Sequence, residues 1–167
     1  MARRKAGKPP VRRATRSRRR PAGDVSTPAA SFRYIESSAL LAALLEQDRA
    51  ALDALRADGQ RVTSALTFAE AARAMVRAGV AGRLTPLEER AALRGLRTFE
   101  RRCAVVAVTD AVLTRVGRPF PVEPIRTLDA VHLATVELLG EPPPLVTLVT
   151  RDARVRDNAR ALGYLVA

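Results

Sequence analysis

Tryptophan is absent from this 167-residue chain and aromatic residues make up only 4% of it. Any core must therefore be built from Leu, Val, Ala and Ile. A lone cysteine, Cys103, excludes an intrachain disulfide and agrees with a reducing cytosolic setting. One cysteine and one histidine, His132, exclude a zinc site of the usual Cys/His kind. No apolar run approaches the roughly 20 residues that span a bilayer. Lysine is confined to Lys5 and Lys8, so nearly all positive charge is arginine. Such an Arg and Ala bias is what GC-rich coding produces, and it carries no functional weight here. What remains is ordinary for a globular protein: 47% hydrophobic residues, enough for one domain with a real core.

Charge is unevenly placed. Ten basic residues and one acid, Asp24, fall in residues 1–30, so most of the net charge of +12 lies there. The stretch has four prolines and almost no large apolar residue, too little to offset its ordering entropy. Residues 1–30 are expected to be a disordered basic tail, and residues 31–167 the folded domain. The tail reads either as an arm for nucleic-acid phosphates or as a solvated extension without function. Arg-rich, acid-poor segments also resemble transit peptides, but this one lacks an apolar helical face.

Past residue 30 strands and helices alternate. "SFRYI", "QRVTS", "AVVAV", "LVTLVT" and "YLVA" read as strands, and the stretches between them as helices. "AVVAV", continuously apolar, predicts a buried strand, and Cys103 before it predicts a core thiol. One helix is expected from Thr67, another from Pro86 behind the cap Thr85, and a third is closed by Gly140. Strands separated by helices imply a parallel sheet covered on both faces, with ligands at the carboxyl ends of the strands.

Four acids stand near those ends: Glu36, Glu70, Asp129 and Asp152. Two carboxylates about 5 Å apart repel by roughly 3 kcal/mol at an effective dielectric of about 20, so a cluster of four calls for a cation or proton uptake. Each acid also has an ordinary reading. Thr67 and Glu70 fit a capping box. Asp129 and Asp152 suit helix N-termini. Glu36 can be the first polar residue after a strand. Asp110 reads as a plain helix start. His132, one turn after Asp129, reads as a packed residue more readily than as a base.

In order and spacing the four contexts resemble PIN-domain ribonucleases, especially toxins of the VapC type. "RYIESSALLAALL" is similar to the family's opening strand with its acid and Ser/Thr pair. "TSALTFAEAARAM" looks like the second acidic motif. "IRTLDAVHLATVELLG" is the nearest in wording, and "LVTRDARVRDNARALGY" resembles the last motif with its helix. The resemblance covers about residues 32–167. It implies a three-layer α/β/α sandwich on a parallel sheet and an endoribonuclease using Mg²⁺ or Mn²⁺. Glu36, Glu70, Asp129 and Asp152 would hold the metal, and Ser38 would orient a metal-bound water or the Glu36 carboxylate, or simply cap the helix. Arg126 and Arg151 would meet RNA phosphate or solvent. The resemblance further implies an RNA substrate, a cognate antitoxin, a homodimer and a cytoplasmic location. One departure stands out: the family has Asp where this chain has Glu36. The longer side chain shifts the carboxylate by about 1.5 Å, which leaves a catalytically weakened PIN-like RNA- or protein-binding module as the alternative.

Overall fold

A computed structural model of the chain describes residues 31–167. The expected basic tail, residues 1–30, lies outside the described residues. The order of elements is β1 (Phe32–Ile35), α1 (Ser37–Leu45), α2 (Arg49–Arg56), β2 (Gln60–Ser64), α3 (Ala65–Val80), α4 (Pro86–Glu100), β3 (Ala104–Val106), α5 (Asp110–Val116), α6 (Thr127–Glu137), β4 (Val146–Val149), α7 (Ala153–Ala161) and β5 (Leu165–Val166). A short 3-10 turn, Pro143–Leu145, leads into β4.

The five strands form one all-parallel sheet in the order β3-β2-β1-β4-β5. The chain winds outward from β1 through β2 to β3, then returns to lay β4 on the other side of β1. The direction of winding reverses between β1 and β4, and the crevice at that reversal is where sheets of this kind place their ligand. Side-chain alternation divides the core. Tyr34 and Leu148 face a layer built with Val131, Leu133 and Val155 of α6 and α7. Ile35 and Val149 face the opposite layer, with Leu40, Met75 and Leu96 of α1, α3 and α4. The architecture is the expected α/β/α sandwich, and each layer is built mostly from Ala, Val and Leu.

Two local expectations fail. Helix α3 begins at Ala65, capped by the Ser64 hydroxyl accepting from the Leu66 N–H at 3.2 Å, so Thr67 is no cap. Its hydroxyl pairs with that of Thr63 at 2.8 Å instead. Ser64 ends β2, and a cap three residues earlier moves Glu70 into the second turn, away from the orphan amides a capping box would satisfy. A capping box does form at Thr85 and Glu88. The second failure is β3. Its apolar run sits at a sheet edge with Ala104 and Val105 exposed, because no strand among the described residues pairs beyond it. Cys103 there is half-buried, outside the core; burial, eased slightly by Arg61, still pushes its thiol up to about 12.

Candidate active site

Glu36 leaves β1 with its backbone still extended, its N–H donating to the Val149 carbonyl of β4 at 3.0 Å. It is 3% exposed. A carboxylate so deep needs donors, and three hydroxyls supply them. Ser37 donates to Oε1 at 2.6 Å, Thr150 donates to Oε2 at 2.9 Å, and Ser38 bonds the same Oε2. Two of those hydroxyls also stitch the site to the turn after β4. Ser38 accepts from the Arg151 N–H at 2.8 Å, and Thr150 accepts from the Asp152 N–H at 3.0 Å. Ser38 thus bridges Glu36 and the β4–α7 turn, while the cap of α1 carries no side-chain bond.

His132, 1% exposed, fills the space under Glu36. Its Nε2 meets Glu70 Oε2 at 2.8 Å and stands 3.8 Å from Glu36 Oε1. Its Nδ1 meets the Tyr34 hydroxyl at 2.9 Å. Burial alone would raise the Glu70 carboxyl, but the hydrogen bond from His132, with Ser37 and Arg77, holds it below the usual value. Glu36, Glu70 and His132 each offer a donor atom within 4.8 Å of the others.

Asp129 of α6 and Asp152 at the start of α7 do not join that group. Asp152 caps α7, its Oδ1 accepting from the N–H groups of Arg154 and Val155 at 2.7 and 3.2 Å. Asp129 lies in the first turn of α6, and its Oδ2 is buried with no hydrogen-bond partner among the described residues. Burial, then the charges of Asp152 and Glu36, push its carboxyl above the ordinary range, against the pull of Arg126 and His132. The helix carrying it is delivered by the proline-rich loop, which the buried Asn158 amide clamps through both Val122 backbone groups at 2.8 and 2.9 Å. Of the two flanking arginines, Arg126 is exposed at the α6 cap, whereas Arg151 points to Asp48, Nε to Oδ2 at 3.4 Å.

A family model for the PIN domain matches residues 33–161. This chain belongs to the PIN-domain family. It is 39% identical over 135 residues to ribonuclease VapC46 of Mycobacterium tuberculosis, covering 80% of this chain and 94% of that protein. To ribonuclease VapC35 of the same species it is 36% identical over 138 residues, covering 80% and 93%. These relationships set it in the VapC-type branch. Among solved structures, VapBC2 from Rickettsia felis bound to a DNA fragment from their promoter aligns with a TM-score of 0.57 at 13% identity, over 81% of this chain and 97% of that one. VapBC-1 from nontypeable Haemophilus influenzae aligns with a TM-score of 0.52 at 13% identity, over 81% and 96%. At such identity the structures speak for the PIN fold alone.

The PIN crevice therefore has two unlike halves. Its acidic cluster can hold a divalent metal, and the unpartnered Asp129 Oδ2 is the observation that fits one: a buried carboxylate oxygen without a donor needs a cation or a proton. Oxygen donors of this kind suit hard cations. Residue reasoning proposes the four acids and Ser38 as site residues, and of these the structure groups Glu36 and Glu70 with His132 and bonds Ser38 to Glu36. That reasoning missed Ser37 and Thr150 as donors to Glu36, and it gave His132 a packing role. The i, i+3 spacing of Asp129 and His132 on one helix face was the available signal.

Proposed function

We propose that this PIN domain is a metal-dependent endoribonuclease, the toxin of a toxin–antitoxin pair, working in the cytoplasm on RNA phosphodiester bonds. Family membership and relatives named ribonucleases support the enzyme over the weakened binding module. The observation that carries the site is Asp129 Oδ2, buried and unpartnered beside the charges of Glu36 and Asp152.

Asp129, Asp152, Glu36 and Glu70 would hold Mg²⁺ or Mn²⁺. Bound there, the ion would acidify a water and neutralise phosphate oxygens and the leaving oxygen. The chain does the positioning. Each carboxylate oxygen has two lone-pair directions. Glu36 Oε2 spends both on Ser38 and Thr150, while Oε1 takes Ser37 alone and keeps one direction open. The extra methylene of Glu36 is thus absorbed by a cradle of hydroxyls, with one oxygen left toward the crevice. Asp152 is held by its own helix, with Oδ1 occupied by two amides. Arg126, exposed beside Asp129, is placed to meet an RNA phosphate, while Arg151 is engaged by Asp48. An antitoxin that covers the crevice, and a homodimer, complete the reading, as the family resemblance implies.

The test is RNA cleavage by the purified full chain in Mg²⁺, Mn²⁺ or EDTA. Cleavage with either ion, absent in EDTA and absent for Asp129→Asn, is the expected result. Cleavage unchanged by EDTA would remove the metal from the mechanism.

A further inference from the structure

On the ribonuclease reading above, we infer that Tyr34 and His132 are a positioning pair that fixes the Glu70 carboxylate for the metal, with His132 acting as an Nε2–H donor and not as a ligand. Both ring nitrogens of this buried imidazole are engaged, one at 2.9 Å and one at 2.8 Å. An ionised carboxylate accepts and cannot donate, so the short contact to Glu70 Oε2 carries the proton on Nε2. That leaves Nδ1 as the acceptor of the neutral ring, and the phenol of Tyr34 as its donor.

The surroundings agree. Tyr34 is fully buried, and burial above all keeps its phenol protonated far beyond the usual range. Thr135, one turn past His132, gives its hydroxyl proton to the Val131 carbonyl at 2.7 Å; it and Ser64 pull the Tyr34 phenol down, but burial outweighs them. Tyr34 belongs to β1, which is paired on both sides, so the phenol is anchored to the centre of the sheet. Glu70 needs such an anchor. It is half-buried on α3, with Arg73 and Arg77 at i+3 and i+7 lining the same pocket. Arg73, one turn on, can draw a free carboxylate outward into an exposed ion pair. The Nε2–H bond holds Glu70 Oε2 toward His132. An outer hydrogen bond of this kind commonly controls metal affinity about 10–100-fold.

The grouping of Glu36, Glu70 and His132 within 4.8 Å also permits the opposite arrangement, in which a bare Nε2 ligates the metal. That arrangement requires the proton on Nδ1, so the tautomer decides. The chain holds a single histidine, and long-range proton–nitrogen correlation on the metal-free full-length protein reads it without ambiguity. The expected result is the Nε2–H tautomer in the parent and a mixture in Tyr34→Phe. Mn²⁺ alone, titrated by thermal shift, should bind about 10-fold more weakly to His132→Leu. His132→Gln, whose amide N–H stands near the Nε2 position, should recover much of that loss. In cleavage assays kcat should fall for His132→Leu with the RNA KM changed less than about twofold, since the pair acts on the metal and not on RNA. An Nδ1–H tautomer in the parent, an unaltered tautomer in Tyr34→Phe, or a Gln variant as weak in Mn²⁺ binding as Leu would overturn the inference. If the parent cleaves no RNA in either ion, the ribonuclease reading falls by itself, and the tautomer and the Mn²⁺ titration still decide the role of His132. Should His132→Leu not fold, Tyr34→Phe and the parent spectrum carry the decision.

Discussion

The two sides of the crevice solve the same electrostatic problem in opposite ways. On the β1 side, Glu36 takes three hydroxyls and Glu70 takes an imidazole, so both negative charges are solvated by the protein itself. On the α6 side, Asp129 buries an oxygen against two other carboxylates with nothing to receive it. The first side is organised before any ion arrives. The second is completed only by a cation or a proton. A site divided this way combines a rigid frame with an unsatisfied oxygen, so that ion binding relieves repulsion that folding has already imposed.

The largest expected effect tests the unsatisfied side. Asp129→Asn should lower cleavage by more than the roughly 10–100-fold that follows loss of an outer bond to a metal ligand. In EDTA the same variant should be slightly more stable than the parent, by at most about 1 kcal/mol, because the group is partly solvated and its repulsion screened. Thermal melts with and without Mn²⁺ check both halves: the parent should gain stability with the ion and the variant should gain much less. A variant destabilised in EDTA would show that Asp129 is not under repulsion, and the contrast between the two sides would break.

On the satisfied side, Thr150→Val removes one hydroxyl from Glu36 and the acceptor of the Asp152 N–H. It should cost about 1–3 kcal/mol, the usual penalty for stranding buried polar groups, and raise the Mn²⁺ requirement. Glu36→Asp withdraws the carboxylate from its cradle by about 1.5 Å, so any gain in cleavage from the family's usual residue should come with a loss of stability. Glu36→Gln keeps the length and loses the charge, and should cleave more slowly than either. Denaturant melts and initial rates for the three variants separate cradle from ligand. Equal rates for parent, Asp and Gln would remove Glu36 from the ligand set.

The two sides should also respond to pH in opposite directions in the metal-free protein. The Glu70 carboxyl is held below its unfolded value, so its stabilisation is present above about pH 4.3 and is lost as pH falls through the folded value. Asp129 is raised, so its ionised form costs stability as pH climbs from about 3.9 toward its folded value. Melting temperature followed from pH 3 to 7 in EDTA should show Glu70→Gln flattening the acid limb and Asp129→Asn removing the decline above it. The same slope for both variants would make the two sides alike.

How much of this was legible beforehand divides along the same line. Strand–helix alternation and the all-parallel sheet follow from local patterns of apolar runs and caps, and the four acids stand out as candidates by their place after strands and at helix starts. What escaped was set by distant pairing. Glu70 and His132 are 62 residues apart, and Thr150 and Glu36 are 114 apart. The false capping box at Thr67 arose because Ser64, a better-placed cap, was read as the end of a strand. It is both. "AVVAV" was read as buried because composition cannot tell a central strand from an edge, and only the sheet order leaves β3 without an outer neighbour.

The smallest expected effect compares the two arginines beside the acids. Arg126, exposed at the α6 cap near Asp129, should contribute to RNA binding through phosphate. Its replacement by Gln should raise the RNA KM and reduce the salt slope of binding by about 0.7, the value for one contact with a single strand. Arg151, partly exposed and paired with Asp48 at 3.4 Å, is a surface ion pair of long geometry. Arg151→Gln should change stability by less than about 0.5 kcal/mol and leave the salt slope within error, because its side chain already faces Asp48. Its backbone N–H, the part that reaches Ser38, survives the substitution. Affinity for a short single-stranded RNA, measured across a salt series for Asp129→Asn backgrounds to prevent cleavage, separates the two. Equal slope changes for both arginines would mean that Asp48 does not hold Arg151, and that phosphate is met from both sides of the crevice.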